Sequence, residues 1–214
     1  MAVRKIPKNY RNVTGISPHR KAISEAAFES TLERDFYDLL EFDTRVARFE
    51  VQPIVITWQD HLGKAHKYTP DVLVHFHSHD KRSQLIEIKY REELRLKWKE
   101  FKPKFKSALR YARSQNWQFK ILTEMEIRTP FLENVRFLLP YLQQKPPLSE
   151  QQQLLLSVLG REGGSTPMKL IQTAEADKCV QTSLLAALWY LVAQRTIRAD
   201  LHTKLTMESE LWPA

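Results

Sequence analysis

Residues 68–90 read YTPDVLVHFHSHDKRSQLIEIKY, and the fold turns on how this stretch pairs with itself. Two apolar runs, 72–76 and 85–88, flank the polar segment SHDKRS at 78–83. Val, Ile and Phe on either side of such a segment predict an antiparallel hairpin. A turn centred near residue 80 sets Asp71 opposite Lys89 and Leu73 opposite Glu87, all four on one face. Asp71 and Glu87 are then diagonal neighbours, within reach of one ion. Val72, Val74, Phe76, Ile86 and Ile88 form the other face, which is apolar and fit to pack on helices.

The stretch holds two candidate metal sites. His75, His77 and His79 alternate and share a strand face, where two of them could chelate zinc. His79 lies in the turn, and no distant His/Cys partner completes the set, so the three read as partly exposed strand residues. The acids are the stronger candidate. Two carboxylates an ion's width apart repel each other and shift a pKa upward unless a cation sits between them. Hard oxygen ligands with phosphate as a further ligand favour Mg²⁺, with Mn²⁺ able to substitute. Such an ion polarises a scissile phosphate and acidifies a bound water, and Lys89 orients that water or offsets phosphate charge. The plainer reading is a cross-strand Asp71–Lys89 pair, worth less than ~1 kcal/mol if exposed.

Outward from the hairpin, Ile23–Phe42 has helical spacing with Ser24 as N-cap. Glu33 falls on its stripe with Phe36 and Glu29. The run from Val46 to Tyr90 reads as three strands in a meander, broken at DHLGK (60–64) and SHDKRS, with Pro70 fixing an extended approach to Asp71. Residues 92–116 predict a long basic helix kinked or restarted at Pro103, 117–124 a strand, and 129–142 a helix with Pro130 in its first turn. A meander followed by a helical crossover implies a mixed sheet with helices on both sides. The segment QQKPPLSE (143–150) reads as a linker. Beyond it, three helical patterns (149–160, 165–175, 179–194) and a small hairpin at 196–209 have a winged-helix layout. The expected organisation is a basic arm at 1–22, an α/β nuclease-like domain at 23–145 and a small, mainly helical domain at 146–214.

The 214 residues carry a net charge of +8, unevenly placed. Residues 81–120 hold 13 Lys/Arg against 4 acids, and residues 1–24 hold 6 Lys/Arg and no acid. Residues 148–214 hold 6 Lys/Arg and 7 acids. A concentrated positive field points to a polyanion partner. Lys97, Lys99, Lys102, Lys104, Lys106, Arg110 and Arg113 on the long helix suit a phosphate backbone without reading bases. The near-neutral C-terminal third suits protein docking better than DNA. The single cysteine, Cys179, excludes an internal disulfide and a thiolate zinc site, which fits a reducing compartment. The N-terminal residues lack an apolar signal region and no 18-residue apolar run occurs, so a cytoplasmic protein is expected.

TPD at 69–71 and EIK at 87–89, with a glutamate on the preceding helix, resemble the PD-(D/E)xK superfamily of restriction-endonuclease-like nucleases. Together, FESTLERDF (28–36), FEVQPI (49–54), YTPD (68–71), IEIKY (86–90) and WQFKILTE (117–124) resemble the TnsA family, the endonuclease subunits of Tn7-like transposases. The resemblance implies a nuclease that nicks double-stranded DNA at the 5′ ends of a transposon. The 3′ ends would be cut by a DDE transposase, TnsB, under an AAA+ regulator, TnsC, at the bacterial nucleoid. It implies Glu33, Asp71 and Glu87 as acidic ligands, the Ile88 carbonyl as a further ligand, and Lys89 as the catalytic lysine. Some TnsA proteins carry Gln where this chain has Glu87, and the glutamate favours activity. Two competing readings are a restriction, repair or junction-resolving nuclease of the same fold, and a catalytically inactive DNA-binding adaptor.

Overall fold

The computed structural model describes residues 13–60 and 62–214. The chain divides into two compact units, Met1–Arg128 and Thr129–Ala214. Most of the expected basic arm lies outside the described residues. Its end forms β1 (Gly15–Ser17), which pairs antiparallel with β2 (Ala26–Phe28).

That pairing corrects the first helix. The backbone of 26–28 is committed to the β1 ladder, so helix α1 (Thr31–Phe42) starts eight residues later than its spacing predicts. Its N-cap is Ser30, whose hydroxyl accepts the Glu33 N–H at 3.2 Å, satisfying one of the four free donors of a helix start.

The meander is also more divided than expected, with five strands instead of three: β3 (Val46–Val51), β4 (Ile56–Gln59), β5 (Ala65–Tyr68), β6 (Val72–Phe76) and β7 (Gln84–Ile88). Gln52, at φ 47°, and Pro53 end β3, and Pro70 separates β5 from β6. Helix α2 (Arg91–Ser114) then crosses over to β8 (Gln118–Leu122), followed by the short α3 (Glu124–Ile127). The main sheet has the order β3-β6-β7-β8, with β7 and β8 parallel and the other pairs antiparallel. β4 and β5 form a separate hairpin. This is the expected mixed sheet, and its fold is restriction-endonuclease-like.

Both faces of the sheet are covered. Val72, Val74, Ile86 and Ile88 pack with Phe36, Tyr37 and Leu40 of α1. Leu73 and Leu85 pack with Phe101, Phe105 and Ala108 of α2, joined by Ile56 and Tyr68 from the hairpin. Burying a side chain of this size is worth about 1.5–3 kcal/mol, so the two clusters hold the strand ends rigidly. Helix α2 does break, at Lys97 (φ −109°, ψ 18°), six residues ahead of Pro103. The proline ring crowds the carbonyl four residues back, that of Lys99, so the break lies further toward the N-terminus than the proline's own clash.

In Thr129–Ala214 the elements are α4 (Pro130–Gln143), α5 (Ser149–Glu162), α6 (Pro167–Ala174), α7 (Lys178–Ala193), β9 (Ile197–Ala199) and β10 (Leu211–Pro213). The division precedes α4, whereas the proline-rich linker had placed it at 145/146. The reason is Asn134, buried on α4. Its amide donates to the carbonyls of Leu201 and Thr203 and accepts the Leu205 N–H, tying α4 to the β9–β10 connection. Phe137 also meets Trp189 edge to face at 5.1 Å, and Trp189 and Tyr190 are buried in this unit's core. The hairpin pairs Ile197–Ala199 with Leu211–Pro213, so its return strand lies beyond the 196–209 expected.

Candidate active site

The hairpin register differs from expectation by two residues: Val72 faces Ile86, Leu73 faces Leu85 and Val74 faces Gln84. Continued one step, it sets Asp71 across from Glu87 instead of Lys89. A slip of two keeps every side chain on its face, so the acids still converge. The Ile88 N–H donates to Asp71 Oδ2 at 2.6 Å, lacing the end of β6 to β7.

The Lys89 ammonium lies at the focus of the site. It donates to the Ile88 carbonyl at 2.9 Å and lies 3.3 Å from Glu87 Oε1 and 3.7 Å from Asp71 Oδ2. A cation is thus already seated among three of the four groups that the sequence proposes as metal ligands, Glu33 being the fourth. The donor set, two carboxylates and a carbonyl, is all hard oxygen and fits Mg²⁺ or Mn²⁺ better than a softer metal. Burial acts to lower the Lys89 pKa, but the negative charges of Asp71, Glu87 and Glu33 outweigh it and raise it above the usual lysine value.

Glu33 stands at the first turn of α1, only 7% exposed. Its oxygens accept the Glu29 N–H and the Ser30 hydroxyl, each at 2.9 Å. Burial raises its carboxyl above the ordinary glutamate range, against those hydrogen bonds and the Lys89 charge. Burial also raises Asp71, and the Glu87 charge pushes it further. With Glu33 held by its own helix start, no three acid, imidazole or thiol side chains among the described residues close around one point. The convergence rests on Asp71, Glu87 and the Ile88 carbonyl.

Three neighbours were missed by the sequence reading. Tyr68 donates its phenol to Glu87 Oε2 at 2.5 Å. Burial and the Glu87 charge raise its pKa and keep it a donor. Lys104, counted among the DNA-facing cations, instead reaches Glu87 Oε1 at 3.2 Å. Its ammonium sits 4.4 Å over Phe101, 4.8 Å over Tyr68 and 5.2 Å over Phe105. Gln52 is 6% exposed. Its N–H donates to the Asp71 carbonyl at 2.8 Å and its side-chain amide to Glu29 at 3.2 Å, while its Oε1 has no partner among the described residues. A non-glycine residue held in the left-handed region is costly and concentrates at functional sites.

Of the other cations on α2, Lys97 pairs with Glu93 at 3.4 Å, and Lys99, Lys102, Lys106, Arg110 and Arg113 are exposed. At 100° per residue those five fall on one outward stripe, spanning about 21 Å of axis at 1.5 Å rise. The histidines are dispersed: His75 bonds Ser83 and Glu50, and His77 and His79 are exposed.

A mixed sheet with a Pro-Asp leading into one strand, Glu-x-Lys on the next and a buried glutamate on the preceding helix is the arrangement of the restriction-endonuclease-like fold class. Comparison with known families narrows it. A family described as TnsA-like endonuclease N terminal matches residues 43–124, and one described as TnsA endonuclease C terminal matches residues 126–201. The chain belongs to the TnsA endonuclease family. Among curated proteins none matches. No helix among the described residues is long and apolar enough to cross a membrane.

Proposed function

We propose that this chain is the divalent-metal-dependent endonuclease of a Tn7-like transposition system, nicking double-stranded DNA at the 5′ ends of the element. The observation that carries this reading is the Lys89 ammonium among Asp71, Glu87 and the Ile88 carbonyl, in a chain of the TnsA family. In this reading the three oxygens hold Mg²⁺, or Mn²⁺ in its place, and Glu33 acts from α1 as a third acid. When bound, the ion supplies Lewis-acid polarisation of the phosphate and an acidified water.

The protein's own part is positioning. Asp71 is fixed by the Ile88 N–H and Glu87 by the Tyr68 phenol. Lys89, displaced from the focus, stays close enough to offset charge on the attacked phosphate. The stripe Lys99, Lys102, Lys106, Arg110 and Arg113, with Lys97 nearby, contacts phosphates without reading bases. Sequence choice then belongs to a partner DDE transposase, TnsB, with an AAA+ protein, TnsC, linking cleavage to the target. The near-neutral C-terminal unit, read as winged-helix-like, is the docking module, and the complex works on the bacterial nucleoid.

The test is strand-specific nicking of end-labelled transposon-end duplex with Mg²⁺, by this chain with and without its partner transposase. The expected result is a 5′-end nick that needs both proteins and is lost in Asp71→Ala. Efficient cutting of a defined duplex by the chain alone would favour a self-sufficient nuclease. Transposition undiminished in Asp71→Ala would favour an adaptor.

A further inference from the structure

Two ammonium groups meet one carboxylate oxygen in this site. Lys89 and Lys104 lie 3.3 and 3.2 Å from Glu87 Oε1, and Glu87 is 1% exposed while each lysine side chain keeps 21% exposure. Their roles differ. Lys89 is next in sequence to Glu87 and Ile88, and also reaches Asp71 and the Ile88 carbonyl. Lys104 comes from α2, past the break at Lys97, and its acidic partner is Glu87. Its ammonium also rests on the faces of Tyr68, Phe101 and Phe105, which retain a cation after the carboxylate contact is broken.

We propose that Lys104 is a placeholder cation. In the DNA-free protein it competes with a divalent ion for Glu87, and a substrate phosphate draws it away. This rests on the reading of Asp71 and Glu87 as ion ligands. Two unit charges stand where one divalent ion would, so exchange is electrically balanced only if both lysines find another anion. A DNA backbone is the anion that would supply it, since both lysine side chains are partly exposed. Ion binding and substrate binding are thereby coupled, and by linkage the coupling is reciprocal. The isolated protein keeps a weakly metallated and therefore quiet site.

The test is the Mn²⁺ concentration that gives half-maximal thermal stabilisation of the full chain, measured without DNA and with a short duplex oligonucleotide. Lys104→Met keeps the aliphatic stem over the three rings and removes the charge, and Lys104→Arg keeps the charge. Without DNA, Lys104→Met is expected to need about tenfold less Mn²⁺ than wild type, a coupling of about 1.4 kcal/mol, and Lys104→Arg to stay near wild type. The duplex is expected to lower the requirement of wild type, and that of Lys104→Met much less. An unchanged or higher requirement in DNA-free Lys104→Met overturns the proposal. An equal effect of DNA on both proteins overturns the hand-over to phosphate. Asp71→Ala separates the two levels. If it abolishes the Mn²⁺ response while Lys104→Met does not shift it, only the placeholder role fails. If wild type responds neither with nor without the duplex, or Asp71→Ala still responds, the ion site itself fails.

Discussion

Asp71 Oδ2 accepts the backbone N–H of Ile88 at 2.6 Å, so an acid at the end of one strand is bolted to the residue that follows Glu87 on the next. The bond fixes the Asp71 carboxyl without neutralising it. Asp71→Asn keeps an oxygen for that N–H and removes the charge. It also relieves the burial and Glu87 repulsion that raise the Asp71 pKa. The variant is expected to melt at or above the wild-type temperature in the absence of ions, yet lose roughly 10³-fold in nicking, the scale of several kcal/mol of metal-assisted stabilisation. Calorimetry and a nicking time course on the same sample check both halves.

Ion binding is expected to weaken as pH falls. Folded Asp71 and Glu33 have raised pKa values, so they hold protons at pH values where an unfolded carboxyl has lost them. An incoming ion must displace those protons, and its affinity therefore rises with pH until the folded pKa values are passed. The same shifts make the ion-free fold lose stability as pH rises from the unfolded carboxylate pKa toward the raised folded values, because the unfolded state binds fewer protons there. Mn²⁺ titrations between pH 5.5 and 8 should show a half-saturation point that falls with pH, with a flatter dependence in Asp71→Asn.

Gln52 holds the Asp71 backbone and the Glu29 side chain at once. Gln52→Leu keeps much of the volume and the backbone N–H and removes the amide. The amide that is removed reaches Glu29, whose own N–H holds Glu33. It thus supports a proposed ligand at one remove, and the loss is expected at the low end of the roughly 10–100-fold that direct partners of metal ligands cost. The expected result is a loss of that size in nicking with a folded circular dichroism spectrum. Wild-type activity would show Gln52 to be a packing residue only.

Arg128 closes the first unit. Its Nε donates to Asp35 at 2.8 Å and its guanidinium also reaches the Thr31 hydroxyl at 2.7 Å. Asp35 is almost wholly buried at 3% side-chain exposure. Arg128→Ala removes one partner of that carboxylate and leaves others, Arg34 at 3.4 Å among them. The expected destabilisation is about 2 kcal/mol, below the usual cost of orphaning a fully buried charge, and urea unfolding checks it.

The site was legible where chemistry depends on face and illegible where it depends on position. Asp71, Glu87 and Lys89 could be grouped from sequence because strand parity survives a two-residue slip. The slip itself could not be seen, because nothing in SHDKRS marks the turn centre. ISEAAFE carries helical spacing, but residues 26–28 pair with 15–17 across the connection 18–25, and strands of three residues are too short to show an alternation. Lys104 was counted as one positive charge among seven. Its helical angle sets it on the flank of Phe101, Phe105 and Ala108, away from the stripe of Lys99, Lys102, Lys106, Arg110 and Arg113, and that signal was available. Gln52 carried none, because its left-handed backbone is not announced by a glycine or asparagine. The place of α4 was hidden for a similar reason: the prolines at 146–147 are visible in sequence, and the long-range bonds of Asn134 are not.

The most direct test of the central claim is where a divalent ion binds. Thermal stability is followed through a Mn²⁺ titration of wild type, Asp71→Ala and a His75→Ala/His77→Ala double variant. Stabilisation retained in the histidine variant and lost in Asp71→Ala is the predicted result. Stabilisation retained in Asp71→Ala and lost in the histidine variant would contradict the account and move the metal site to the other end of the hairpin.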